Sequence, residues 1–223
     1  MGIPGLSSET TRKLLGTVVL VLVIGAAWVP IYRTVTSGGI DLDPFRALGR
    51  GAAVETAKLL RNSGRIVLVD ASFGDYKILA PTTETQIKAF RKAIRGTGLK
   101  VAAVEKAAIA PPSMARTGIF MQPGQLAKLL SQHPDVDAVV LFVGLAGSEE
   151  FQAARLKGSK PKLVMVANFE PYYKDLLASQ SLQLAIVLRP DADTIEHKLR
   201  GSQSYFERNY FVVTPETVAQ LPD

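Results

Sequence analysis

Leu14 and Tyr32 bound the stretch LLGTVVLVLVIGAAWVPIY, a run of about 19 residues without one charged side chain. As an α-helix rising ~1.5 Å per residue, it is long enough to cross a hydrocarbon layer of about 30 Å. A lone segment in lipid must satisfy its own backbone, and a helix is the form that does so. Arg12 and Lys13 precede the run, while Trp28 and Tyr32 lie near its far end, where amphipathic rings favour the interface. Residues 14–32 therefore read as a retained transmembrane helix in contact with membrane lipid. A cleaved leader is the rival, since Gly25-Ala26-Ala27 supplies small residues for cleavage. Its apolar core would need only about 7–15 residues, however, and this run continues through Val29 and Ile31. A core helix of a soluble domain would show a polar face, and none is present.

The rest of the chain is divided by this segment. Residues 1–13 form a polar tail, 33–44 a linker with Gly38-Gly39 at its flexible point, and 45–223 one domain. The amino-terminal flank carries Arg12 and Lys13, whereas the other side carries Arg33 followed by Asp41 and Asp43. The positive-inside tendency then places the short tail in the cytoplasm and the domain outside it, in a bacterium the periplasm.

The chain has no cysteine, which removes disulfides, thiolate metal sites and cysteine nucleophiles. Its net charge of +6 is spread along the sequence, a pattern that does not point to nucleic acid. His133 and His197 are the two histidines and lie far apart, so no metal site is expected. No cofactor motif is found. Gly49 and Gly51 resemble part of a dinucleotide fingerprint, but no strand precedes them.

From residue 45 the pattern alternates. A helix is expected over 45–62, stopped by Gly64, then a buried strand over 66–69 ending in Asp70. A helix over 84–95 follows, with Thr83 and Gln86 as a capping box and Gly96 as its end. A strand over 101–104, a long loop over 107–122 and a helix opened by Pro123 come next. Further strands are expected over 136–143, 163–167, 184–188 and 210–213, with helices between them. This spacing predicts an α/β domain of three layers, with a mainly parallel sheet of five to six strands covered on both faces.

The segments HPDVDAVVLFVGLAG, KPKLVMVANFEP and LQLAIVLRPDAD resemble one lobe of the type 1 periplasmic binding proteins and their LacI-like relatives. The likeness extends over about residues 65–213 and implies a flavodoxin-like lobe. That family closes two lobes around a sugar or amino acid, and this chain has residues for one.

In an open parallel sheet, ligands gather at the carboxyl ends of the strands. That rule selects Asp70, Ser72 and Asp75 after the first strand, and Glu105 and Lys106 after the second. It then selects Gly144, Gly147 and Ser148, Asn168 and Glu170, and Arg189 and Asp191. Of these, Asp70, Ser72, Gly144, Ser148, Asn168 and Arg189 are the candidate ligand residues. Lys88, Arg91, Lys92 and Arg95 fall at i, i+3, i+4 and i+7, a basic stripe suited to an acidic partner or lipid headgroups. The expected function is a non-catalytic, membrane-anchored accessory subunit that contacts other subunits of a membrane assembly. A tethered solute-binding or sensory domain taking a small molecule is the alternative, and an enzyme with an unrecognised site is a third.

Overall fold

The computed structural model describes residues 40–72, 80–110, 120–145, 161–166, 173–189 and 202–220. The predicted span, residues 14–32, lies outside them. Among the described residues no helix is long and apolar enough to cross a membrane. The chain divides into two units, Met1–Asp41 and Leu42–Asp223, and the second carries the α/β domain.

Helix α1 (Asp43–Leu59) starts with Asp43 and a proline in its first turn and ends with Lys58 in its last, charges that suit the helix dipole at both ends. It stops earlier than Gly64. Arg61 and Asn62 take left-handed φ values of 52° and 60°, and the Asn62 N–H reaches back to the Ala57 carbonyl at 2.7 Å. This closes the helix without a glycine, and Gly64 then enters the first strand.

The strands are β1 (Ser63–Ser72), β2 (Gly98–Ala108), β3 (Ala138–Leu141), β4 (Lys162–Val166), β5 (Leu184–Leu188) and β6 (Tyr210–Val213). Among the described residues they form one sheet in the order β2-β1-β3-β4-β5-β6. All neighbours are parallel except β6, which returns antiparallel to β5. Because β1 is central, Ile66, Val67, Leu68, Val69 and Ala71 are all buried, as their unbroken apolar run requires.

Among the described residues the helices between strands are α2 (Ala80–Ala93), α3 (Gln125–Gln132), α4 (Tyr173–Ala178) and α5 (Ser202–Asn209). One face of the sheet packs Ile66, Leu68, Val140 and Ile186 against α1, α2 and α5 through Leu48, Phe90 and Phe206. The other packs Val67, Val69, Leu141 and Val187 against α3 and α4 through Leu126, Leu129 and Leu177. Phe90 meets Phe142 edge to face, ring centroids 5.9 Å apart. Phe206 stacks on Tyr210, whose phenol is pushed far above its ordinary range by burial. The three-layer α/β/α arrangement follows from these two cores.

Two predicted helix starts are corrected. Thr83 does not cap α2, which is already helical at Ala80; its hydroxyl bonds back to the Ala80 carbonyl at 3.4 Å. Pro123 is not the first residue of α3, because Gly124, at φ 81°, forms the cap and the helix opens at Gln125. Glycines 49 and 51 lie inside α1 and serve packing. A Cβ at Gly49 would overlap the Gln86 carbonyl of α2, and one at Gly51 would overlap the Phe206 ring of α5.

Candidate functional site

The site grows from one irregularity in β2. Ile66 pairs with Val101, yet Val67 pairs with Ala103, so Ala102 is an extra residue and β2 bulges there. Before the bulge, Leu99 and Val101 pack on the α2 face. After it, Ala103 and Ala107 belong to the opposite core, so the alternation has been reset. Lys106 therefore points to the α2 face, where its Nζ lies 3.4 Å from Oδ2 of Asp70, its neighbour across the ladder. Glu105 points the other way and takes the ring of His133, at the end of α3, at 3.0 Å. A continuous ladder would have exchanged these two side chains.

Asp70 is 3% exposed, and its Oδ1 has no hydrogen-bond partner. Above it a groove of about 610 Å³ runs between α2 and β2. Ile87 forms an apolar part of its wall, and Glu84, Lys88, Arg91, Lys92, Arg95 and Lys106 complete the lining. The groove thus holds five cations against two carboxylates. Among the described residues, Lys88, Arg91, Lys92 and Arg95 are in no ion pair. The sequence separates Asp70, as a ligand residue, from the basic stripe, as a partner surface; the structure brings both to one concavity.

At the carboxyl ends of the strands the arrangement differs. Ser72 ends β1 exposed. The sheet position beyond it is taken by the chain itself: Met121 bridges Ile109, which follows β2, and Phe120 bridges Gly144, which follows β3. The Met121 N–H bonds to the Gly144 carbonyl at 2.8 Å, and Met121 is fully buried. Part of the predicted 107–122 loop is therefore sheet. The Gly144 carbonyl joins that pairing. Ser148 and Asn168 lie outside the described residues, as do Asp75, Gly147, Glu170, Asp191 and His197.

Arg189 leaves β5 with its guanidinium carbon 3.8 Å from the centroid of the Phe211 ring on β6. Its Nε is buried and has no hydrogen-bond partner. Arg189 and Asp70 are not neighbours. β3 and β4 separate their strands by about 14 Å at ~4.8 Å per strand. They also serve opposite faces, since Leu68 and Lys106 mark one and Val187 the other. Sequence reasoning misses Phe211 because it is an ordinary apolar strand residue, and Met121 because it falls in the predicted 107–122 loop. The antiparallel return of β6, which brings Phe211 to Arg189, has no local signal.

No family model matches the chain, and no curated protein matches it. Solved structures do match. One is the solute-binding protein of an ABC transporter from Burkholderia graminis in complex with D-arabinose, at TM-score 0.55 and 15% identity over 80% of this chain and 62% of that one. Another is the fructose-binding periplasmic domain of a hybrid two-component system, at TM-score 0.54 and 16% identity over 81% of this chain and 59% of that one. A third, described as a LacI transcriptional regulator from Bacteroides fragilis, has TM-score 0.53 and 13% identity over 80% and 62%. The chain thus spans less than two thirds of the length of each. Its α/β domain has the fold of one lobe of the type 1 periplasmic binding proteins and their LacI-like relatives.

Proposed function

We propose that the domain is a non-enzymatic recognition lobe, displayed outside the cytoplasm, that binds or senses a small polar solute at the carboxyl ends of its strands. The observation that carries this reading is Arg189. Its guanidinium carbon is held 3.8 Å over the centre of the Phe211 ring, and Nε lacks a partner in a partly buried setting. A guanidinium held in this way suits vicinal hydroxyls or a carboxylate, which it can take with two parallel hydrogen bonds. Sugars and sugar acids carry such groups, and the arabinose and fructose of the neighbouring structures belong to that class.

The test uses the full chain in neutral detergent micelles, titrated with arabinose, fructose, glucose and glucuronate. One of these is expected to raise the unfolding temperature, with a stabilisation of about 2.7 kcal/mol at a hundredfold excess over Kd. Arg189→Ala should weaken that binding roughly tenfold or more, the loss of a charge-assisted hydrogen bond of about 1.5–3 kcal/mol. No response to any of the four, with membrane proteins copurifying in fixed ratio, would overturn the solute reading.

That outcome would favour a second reading, a membrane-anchored accessory subunit that contacts other subunits. Its support is the position of Phe120 and Met121, which fill the sheet beyond β1 where a crevice would otherwise open.

A further inference from the structure

The α2–β2 groove lies on the other face of the sheet from Arg189 and has its own chemistry. A helix that follows a parallel strand runs back along the sheet, so the groove has a direction. Glu84 and Lys88 lie toward the carboxyl ends of the strands, with Asp70 and Lys106 opposite, whereas Arg91, Lys92 and Arg95 follow toward the other end. From Glu84 to Lys92 the helix rises about 12 Å. Charge is graded along that length. Two carboxylates balance two ammonium groups at one end, and three cations stand with no carboxylate at the other.

We infer that this groove is a ligand site for a phosphorylated polyol. The purely cationic end, with two arginine forks and a lysine, suits a phosphate group. The balanced end suits a hydroxylated body, whose O–H groups donate to Glu84 and Asp70 and accept from Lys88 and Lys106. Asp70, nine-tenths buried with Oδ1 unpartnered, holds Lys106 at the rim and makes that end selective for a donor. Ile87 gives the carbon skeleton an apolar contact. A volume of about 610 Å³ is within the range of small-ligand sites, roughly 300–1,000 Å³. The same chemistry is offered by a free sugar or glycerol phosphate and by the headgroup of phosphatidylglycerol.

The experiment titrates glycerol phosphate, methyl phosphate and glycerol into the full chain held in phosphatidylcholine nanodiscs, followed by calorimetry. Glycerol phosphate should bind one to one and several-fold more tightly than methyl phosphate, with glycerol alone undetected. Arg91→Glu with Arg95→Glu should weaken glycerol phosphate at least tenfold. Glu84→Gln, an exposed change that leaves the fold intact, should erase the preference over methyl phosphate. Repeating the titration in nanodiscs that contain phosphatidylglycerol separates the sources. Lost binding through competition identifies the lipid headgroup as the occupant, and unchanged binding identifies a free solute. Equal affinity for methyl and glycerol phosphate, indifference to the arginine variants, or binding of polyglutamate in place of either phosphate would overturn the proposal.

Discussion

Lys106 meets Asp70 because a single extra residue, Ala102, resets the facing of β2. The lysine is 60% exposed at its side chain and the aspartate 5%, so the pair is lopsided. Screening weakens the attraction at the lysine end, and the larger effect is the cost of leaving the carboxylate buried alone. Lys106→Ala should therefore lower stability by about 1–3 kcal/mol, read from the urea midpoint, and Asp70→Asn in that background should recover part of it. An additive double variant would show that the two side chains do not interact. In the sequence, Asp70 and the cations at 88, 91, 92 and 95 are plainly visible, as is their period. What cannot be read there is that they face one groove. The segment GLKVAAVEKAA breaks period-2 alternation at the bulge, which is why only 101–104 reads as a strand.

At the scale of elements, α1 and α2 lie close because Gly49 has no side chain to keep the Gln86 backbone away. Gly49→Ala should cost about 1–3 kcal/mol through overpacking, measured by chemical denaturation, although alanine is the better helix former by about 1 kcal/mol. A stabilised variant would mean that the two helices separate easily. Sequence reasoning finds each of these helices and misplaces their ends. Thr83 looks like a cap because threonine three residues before a glutamine is the usual signature, but the chain is already helical at Ala80 and Thr83 is buried within the helix. Pro123 looks like a first helical residue, and a left-handed glycine after it moves the start. Strands are legible in the opposite sense: those buried on both faces, β1 and β3 to β5, announce themselves by unbroken apolar runs, while the half-exposed edge strand β2 shows only its middle, 101–104.

At the scale of the molecule, both hydrophobic cores are built from residues within Leu42–Asp223. A fragment starting at residue 42 should therefore unfold cooperatively with the urea midpoint and slope of the full chain; a fall in stability of more than about 1 kcal/mol would show that the first 41 residues contribute to it. The parallel order was legible because helix and strand lengths alternate, and the lone antiparallel strand was not, since its direction depends on a long-range pairing. One further consequence concerns Ala110 and Phe120, which hydrogen-bond to each other at 2.7 Å while their neighbours Ile109 and Met121 pair. The backbone returns to the point it left, so Ile109-Ala110 and Phe120-Met121 form a clasp beyond the end of β1. The clasp thus rivets the prolongations of β2 and β3 to each other where β1 has run out.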